Sequence, residues 1–384
     1  MSLTTGVPRG AGRSFDDRPL LVLWETTKAC ELACHHCRAN AQPGPGADDL
    51  TTGEAIAMLD GLAALGSPRP ICILTGGDCL SRSDLYDITS HAAAACVPVA
   101  VAPSVTSKLN RTAMRELASL GVRTASLSLD GASPSTHDTL RGVEGHFDVT
   151  LRRIRELKEC GFKVQVNTTV MESNLDELSD VAVLLHDLGV DVWEVFFLIS
   201  TGRGIDVAGT TAAQNEDVCH FLVDASQYGM LVRTVEAPFF RRVVHERREA
   251  GAAIQVERTF DLGDLYVALR DRLRFKLGPP RIPVRAPSAA TRDGKGIVFV
   301  AANGDVYPSG FMPLRVGSVR ERQLVDIYRD DPVLRSIRSA AFPGVCGACE
   351  YADLCGGSRA RAYATSGDPL GDDPGCLRVL VGSA

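Results

Sequence analysis

The 384-residue sequence predicts an α/β fold built on a parallel sheet. In its first half, short runs rich in Val, Ile and Leu alternate with segments of helical pattern, and this alternation requires crossover helices between parallel strands. The strand-like runs are apolar throughout, which fits burial on both faces of a sheet. Two architectures remain open, a doubly wound sheet and a full or partial barrel. In both, functional residues collect at the carboxyl ends of the strands.

The first half contains six predicted strands and clear helix boundaries. The strands are predicted over residues 20–24, 71–75, 97–102, 124–130, 163–170 and 192–199. Helices are predicted over residues 52–65 and 147–160, and each ends at a glycine. The first helix opens with the capping box Thr51-x-x-Glu54. Regular strand–helix units are therefore expected as far as about Tyr228.

The second half has a different pattern. Residues 236–285 are rich in Arg and Glu and predict a solvated helical face. A linker is then marked by Pro279, Pro280, Pro283 and Pro287. Beyond it, residues 296–302 and 305–307 flank Asn303-Gly304, a pair that predicts a hairpin with a tight primed turn. A short helical stretch is predicted near residues 324–337.

Composition and charge exclude several classes of function. A net charge of −6 offers no basic surface for nucleic acid or an anionic membrane. No apolar run approaches the length of a membrane span. Residues 1–18 lack the apolar core of a secretory signal and are expected to form a flexible tail. Twelve cysteines in a long chain without an export signal favour thiolates in a reducing cytosol, so a cytoplasmic location is expected.

Three cysteines with the spacing C-x3-C-x2-C, Cys30, Cys34 and Cys37, directly follow the first predicted strand. Three thiolates can cap one face of a cubane iron–sulfur cluster and leave its fourth iron open, as a catalytic metal site requires. The alternative is a zinc loop completed by His35 or His36.

A second group of cysteines lies near the C-terminus. It comprises Cys346, Cys349, Cys355 and Cys376. A structural zinc site with four cysteine ligands is the alternative to an iron–sulfur site here. Four of the remaining cysteines are expected to be small buried apolar residues. These four are Cys72, Cys96, Cys160 and Cys219.

The first cysteine loop, followed one strand later by Thr75-Gly76-Gly77-Asp78, resembles the signature of the radical S-adenosylmethionine (radical SAM) superfamily. The resemblance implies a [4Fe–4S] cluster held by Cys30, Cys34 and Cys37, with S-adenosylmethionine on the open iron. One electron, from a reductant such as flavodoxin or ferredoxin, would cleave this cofactor to a 5′-deoxyadenosyl radical that abstracts a hydrogen atom. The family also implies a partial (β/α)6 TIM-like barrel.

Further residues are expected to bind S-adenosylmethionine. Gly76 and Gly77 would let the backbone approach the methionine moiety, and Asp78 would pair with its ammonium group. Four polar residues near other strand ends are candidates for the cofactor's carboxylate or ribose, with a local hydrogen-bonding role as the alternative for each. These are Ser104, Ser128, Arg141 and Asn167.

The C-terminal cysteine group resembles the SPASM/twitch extension of radical SAM enzymes, and residues 355–363 are close to the haem-pathway branch. The resemblance implies an auxiliary [4Fe–4S] cluster held by Cys346, Cys349, Cys355 and Cys376. Ser309 and Arg359 stand where the full SPASM pattern has cysteines, so one auxiliary cluster is expected to be lost.

The resemblance also implies a division of the chain into four parts. A flexible tail (1–18) is followed by the radical SAM core (19–235) and by a helical extension with its linker (236–290). A small α+β SPASM/twitch domain (291–384) completes the chain.

The expected function is hydrogen abstraction from a small molecule of a specialised biosynthetic pathway. Redox-neutral epimerisation is the most concrete version, because Cys79 follows the Gly-Gly-Asp motif and could return a hydrogen atom to the substrate radical. The alternative for Cys79 is a small filler residue. Other functions left open are peptide maturation, which the short stretch before Asp17 disfavours, and oxidative decarboxylation or dehydrogenation of the haem-pathway type. A non-enzymatic zinc or redox-sensing module is the alternative outside enzymes.

Overall fold

The computed structural model describes residues 15–251, 254–286 and 291–382. Within them the strands form a single sheet. The strands are β1 (Leu21–Glu25), β2 (Ile71–Thr75), β3 (Val99–Val101), β4 (Thr124–Ser128), β5 (Lys163–Val170), β6 (Val192–Phe197), β7 (Leu231–Val235), β8 (Arg292–Asp293), β9 (Gly296–Val300), β10 (Asp305–Tyr307) and β11 (Gly317–Ser318).

Helices cover the outside of this sheet and build the C-terminal part. They are α1 (Thr52–Ala63), α2 (Leu85–Ala94), α3 (Arg111–Ser119), α4 (Pro134–Arg141), α5 (His146–Glu159), α6 (Leu178–Asp187), α7 (Ala212–Ala225), α8 (Phe239–Ala250), α9 (Val256–Thr259), α10 (Asp264–Leu277), α11 (Leu324–Asp330), α12 (Pro332–Arg338), α13 (Gly344–Ala348), α14 (Arg359–Ser366) and α15 (Leu377–Gly382). In the described part of the chain, no helix is long and apolar enough to cross a membrane.

The order of the strands distinguishes between the two architectures. Strands β1 to β7 pair in parallel and lie side by side in chain order, with at least one helix between each consecutive pair. A doubly wound sheet would reverse direction at a switch point, and this sheet does not. The fold is therefore a partial barrel, as the family resemblance implied. Strand β9 adds to the free edge of β1, also in parallel, and β10 and β11 continue the sheet.

Most elements of the first half lie where the sequence predicts them. Strands β2 and β5 match the predicted bounds, and the others differ at their ends by at most two residues. The capping box of α1 forms in both directions between Thr51 and Glu54. The hairpin around Asn303-Gly304 is confirmed by antiparallel pairing of β9 with β10. The single helical stretch near 324–337 is two helices, because Pro332 disfavours helical backbone at Asp331.

Two segments are more firmly packed than the sequence predicted. Residues 15–18, assigned to a flexible tail, are held by Tyr328, whose hydroxyl donates to the Phe15 carbonyl (2.6 Å). The rest of that predicted tail, residues 1–14, lies outside the described residues, as does Pro287. Helix α8 is not a solvated face: Arg242 is buried and pairs with Glu216 and Glu246.

Candidate functional site

The first cysteine loop lies at the carboxyl end of β1. The Cys30 N–H donates to the Gln42 carbonyl (2.8 Å), which closes the loop on itself. Arg203, beyond β6, donates its Nε to the Cys34 carbonyl (2.8 Å) and its backbone N–H to the Cys37 carbonyl (3.0 Å). All three thiols are free, Cys34 buried and the other two half-buried. The chain thus holds three unpaired thiols on one ordered loop.

Hydrogen-bond donors surround these sulfurs. The Leu32 N–H lies 3.4 Å from Cys30 Sγ. The Ser104 hydroxyl oxygen is at the same distance, with its proton directed to the Gly77 carbonyl. Arg141 Nη1 lies 3.6 Å from Cys34 Sγ. Burial raises the pKa of the Cys30 thiol, so its thiolate requires additional positive charge nearby. Donors directed at sulfur are the protein's means of tuning thiolate-bound iron–sulfur clusters, and the donor set fits such a cluster.

The Gly76-Gly77-Asp78 turn packs directly on the cysteine loop. The Gly77 N–H donates to the Thr27 carbonyl (2.8 Å), and the Asp78 N–H donates to the Ala29 carbonyl (2.7 Å). A Cβ at Gly77 would lie 2.5 Å from the Ala29 carbonyl oxygen, and Gly76 has a φ of +140°, which favours glycine. From the sequence, the cofactor was expected to require these glycines. In the structure, the backbone of the cysteine loop requires them.

The Asp78 carboxylate is buried and bonded within the chain. Its Oδ2 accepts from the Thr106 hydroxyl (2.8 Å), and its Oδ1 accepts from the backbone N–H groups of Leu80 (3.2 Å) and Ser104 (3.3 Å). The Ser104 hydroxyl donates to the Gly77 carbonyl (2.7 Å). Asp78 therefore joins the turn after β2 to the segment after β3. The pairing of Asp78 with the cofactor's ammonium group stays a prediction.

Arg141 is engaged in a buried ion pair. Its Nη2 contacts Asp130 Oδ2, while Asp130 Oδ1 accepts from the Thr169 N–H (2.8 Å). His36 Nε2 lies 3.4 Å from the same carboxylate, and burial lowers the pKa of His36 to about 4. Within the described residues, no group of three or more His, Cys, Asp or Glu side chains lies close enough to hold a single metal ion. The zinc-loop alternative therefore has no preformed single-ion site here.

Polar side chains form a row across the barrel lumen on β4 to β7. Ser128 pairs in register with Asn167, Asn167 with Glu194, and Glu194 with Arg233. All four are half-buried, whereas the intervening residues of β4 to β6 are buried against the helices. Two predicted cofactor residues thus share a row with Glu194 and Arg233, which sequence reasoning missed. The available signal was a polar residue at every second position of β5 and a single polar residue, Glu194, inside the apolar run of β6.

Cys79 has no exposed surface. It lies in the hydrophobic core with Leu74 and Leu85, and burial raises the pKa of its thiol. A hydrogen donor must contact the substrate radical, and this position provides no such contact. The structure agrees with the interpretation of Cys79 as a filler residue and does not support the hydrogen-donor hypothesis.

The four C-terminal cysteines are free thiols around α13 and α15. The sulfur of Cys346 accepts from the Asp373 N–H (3.4 Å), and the sulfur of Cys355 accepts from the Gly357 N–H (3.4 Å). Burial raises the pKa of Cys346 to about 11 and that of Cys355 to about 12. These thiolates, too, require compensating positive charge.

Buried arginines supply this charge. Arg359 is fully buried, lies 3.7 Å from Cys346 Sγ and donates to the Gly371 carbonyl (2.6 Å). Arg292 is also buried and donates to the Cys355 carbonyl (3.1 Å). Among the described residues, neither guanidinium forms a salt bridge. Because a buried cation is costly without an anion, the surroundings fit an anionic thiolate cluster.

The positions that lack cysteines of the full SPASM pattern are occupied by hydrogen-bonded side chains. The Ser309 hydroxyl donates to Glu236 Oε1 (3.3 Å), and the Ser358 hydroxyl donates to Glu236 Oε2 (2.5 Å). Glu236 directly follows β7 and is buried, and burial raises its pKa. Arg359 is committed to backbone carbonyls. The chain thus fills this region with its own polar contacts.

Comparison with known proteins agrees with the geometry. Residues 24–185 match the Radical SAM superfamily. The chain is 33% identical over 367 residues to an AdoMet-dependent heme synthase of Methanosarcina barkeri, covering 95% of this chain and 98% of the relative. It is 28% identical over 378 residues to an Fe-coproporphyrin III synthase of the same organism, covering 94% and 88% of the two chains.

Solved structures show the same fold. A crystal structure of Streptococcus suis SuiB bound to precursor peptide SuiA aligns with a TM-score of 0.68 over 94% of this chain and 76% of that one. Its sequence identity is 15%, so the likeness concerns the fold alone. With these relatives, the chain belongs to the radical SAM superfamily, in its haem-pathway-like branch, as an enzyme that uses S-adenosylmethionine and a [4Fe–4S] cluster.

Proposed function

We propose that this enzyme oxidatively decarboxylates a propionate side chain of an iron tetrapyrrole. The observation that carries the proposal is the 33% identity to an AdoMet-dependent heme synthase, which extends over nearly the full length of both chains. This is the haem-pathway alternative from the sequence, and its substrate is a small molecule. Peptide maturation is not favoured by any feature of the described site.

The chemistry follows from the compounds that the relatives' names mention. Haem differs from Fe-coproporphyrin III by two vinyl groups in place of two propionates. The conversion of each propionate to a vinyl group begins with removal of a hydrogen atom from the side-chain carbon attached to the ring. Loss of CO2 and one electron then forms the C=C double bond. The hydrogen atom ends on 5′-deoxyadenosine, and the electron passes to a one-electron acceptor. The reaction is oxidative, unlike the epimerisation expected from Cys79.

The ligand assignments are part of the proposal. Cys30, Cys34 and Cys37 would hold the cluster that, with S-adenosylmethionine bound, supplies the 5′-deoxyadenosyl radical. Ser128 is the last residue of β4, and Asn167 of β5 pairs with it in register, so that both can orient the cofactor from the lumen. The chain's own part is to bind and orient the reactants and to exclude water.

The C-terminal cysteines are proposed as the ligands of an auxiliary cluster. Four cysteines close its coordination, so Cys346, Cys349, Cys355 and Cys376 leave no iron open to the substrate. Such a cluster supplies one-electron transfer. The remaining partner is an external reductant of the flavodoxin or ferredoxin type.

The cysteine assignments predict the iron content. The anaerobically reconstituted chain should hold about eight iron atoms, and Cys37→Ala and Cys376→Ala should each hold about four, because each loses one [4Fe–4S] cluster. The exposed Cys96 gives a matched control, and Cys96→Ala should retain all the iron. Iron, sulfide and zinc analysis checks this. One or two zinc ions in place of iron would contradict the assignments.

The contact between the turn and the loop predicts a steric effect. Gly77→Ala should lose more than half of the iron of the first cluster, because its Cβ would displace the loop backbone near Lys28 and Ala29. Gly44 lies in the segment that follows the cysteines, with nothing within 4 Å of an added Cβ, so Gly44→Ala is the control. Electron paramagnetic resonance of the reduced proteins measures each cluster. Equal loading of the two variants would refute the steric argument.

The proposed reaction predicts defined products. With Fe-coproporphyrin III, S-adenosylmethionine and dithionite, the enzyme should form haem, with about one 5′-deoxyadenosine for each CO2 released. Chromatography and mass spectrometry measure both. Unchanged porphyrin in a preparation with full iron content would disprove the function. Consumption of the cofactor far below product would instead indicate a redox-neutral reaction.

The burial of Cys79 predicts that its thiol is dispensable. Cys79→Ala should keep turnover within about threefold of wild type, since the change removes one buried sulfur atom. Cys72 is equally buried in β2, and Cys72→Ala controls for the loss of packing. Turnover in deuterated solvent is the measurement. If Cys79→Ala alone abolished product formation with iron intact, the hydrogen-donor hypothesis would be restored.

A further inference from the structure

The lumen row ends in an ion pair that the proposed function has not used. Arg233 Nε on β7 lies 3.3 Å from Glu194 Oε1 on β6. Gln165 on β5 connects this ion pair to Asn167. Its Nε2 donates to Glu194 Oε2 (2.6 Å) and to Asn167 Oδ1 (2.8 Å). Its Oε1 accepts from Arg233 Nη2. These four side chains form one continuous network on the inner face of the barrel.

Arg233 retains capacity for a ligand. A guanidinium has five N–H donors, and within the described residues Nη1 of Arg233 makes no hydrogen bond. The Arg233 side chain is 34% exposed, so it remains accessible to a ligand. Both oxygens of Glu194, in contrast, have partners in the network. The free group is a cation whose planar donors match a carboxylate.

The lumen beside this cation is apolar on one side. Phe196 lies two residues after Glu194 on β6 and therefore on the same face of the strand. Its ring meets the ring of Phe311, with 6.0 Å between the centroids, and Phe311 belongs to the segment after β10. Both rings are half-buried. The site thus combines an accessible guanidinium with an aromatic wall.

We propose that Arg233 binds a carboxylate of the substrate while the apolar body of the substrate lies against Phe196 and Phe311. The backbones of Asn167 and Arg233 are two strands apart in the same row, about 10 Å, and Gln165 bridges the two side chains. In this proposal, the anchored carboxylate is a different one from the group that reacts beside the cofactor. The site would select a rigid apolar molecule with more than one carboxylate. That this molecule is a tetrapyrrole rests on the proposed function.

The experiment compares Fe-coproporphyrin III with its tetramethyl ester, which has the same ring and no negative carboxylates. Absorbance titration of the reconstituted enzyme measures the Kd of each. Wild type should bind the acid at least tenfold more tightly than the ester. Arg233→Met should weaken binding of the acid by about ten- to a hundredfold, the effect of one charge-assisted hydrogen-bonded contact, and should leave binding of the ester unchanged.

Three further variants separate the ion pair from general damage to the lumen. Arg233→Lys should recover part of the affinity, because it keeps the charge. Glu194→Gln should bind the acid several-fold more tightly, because a carboxylate that competes for Arg233 is removed. The matched control is Arg272, which lies on the outer helix α10 and pairs with Asp180 of α6. Arg272→Met should bind the acid like wild type.

Each outcome decides the proposal. Equal affinity of wild type for acid and ester, or full affinity in Arg233→Met, would overturn it, even if the porphyrin were converted. Binding that depends on Arg233 without conversion to haem would support the anchor and disprove the proposed function. Weaker binding of the acid in Glu194→Gln would also overturn the anchor, since the glutamate would then be part of the binding site.

Discussion

Two backbone hydrogen bonds, from Gly77 to Thr27 and from Asp78 to Ala29, hold the candidate site together. Parallel pairing brings the ends of β1 and β2 to the same edge of the sheet, and these bonds lock the loops that leave it. The buried Asp78 carboxylate extends the connection to Ser104 beyond β3. The segments that follow β1, β2 and β3 are therefore bonded into one unit, and this unit holds the loop that carries the three thiols. Such preorganisation is what a site needs if it must hold a reactive group in one geometry.

The same parallel register explains why cofactor and substrate functions can be neighbours without overlapping. Side chains of one row project from adjacent strands, so Ser128, Asn167, Glu194 and Arg233 succeed one another around the lumen. Ser128 and Asn167 lie on β4 and β5, and the ion pair lies on β6 and β7. In our proposal, a substrate anchored at Arg233 would extend along this row toward the cofactor.

Electrostatics distinguish the two cysteine groups. At the first, Arg141 contacts the sulfur of Cys34, and its guanidinium is already neutralised by Asp130. Around the second, Arg292 and Arg359 are buried and bonded to carbonyls, and within the described residues neither meets a carboxylate. Buried positive charge lowers the cost of a buried anion, and four cysteines close the coordination. On the proposed ligand assignments, the second cluster would hold charge out of solvent, and the first would exchange ligands at its open iron.

Local chemistry was readable from the sequence, and side-chain surroundings were not. The cysteine spacing, the strands and the capping box of α1 depend on neighbours in the chain, so their patterns survive without tertiary information. Strand β7 was not predicted from the sequence because Arg233 interrupts its apolar run. Arg233 is the residue of this strand that belongs to the lumen row. The same limit applies to Cys79: its place beside the motif suggested chemistry, while its burial depends on residues from other elements. A polar residue inside an otherwise apolar strand of a barrel is thus better interpreted as a lumen contact than as the end of the strand.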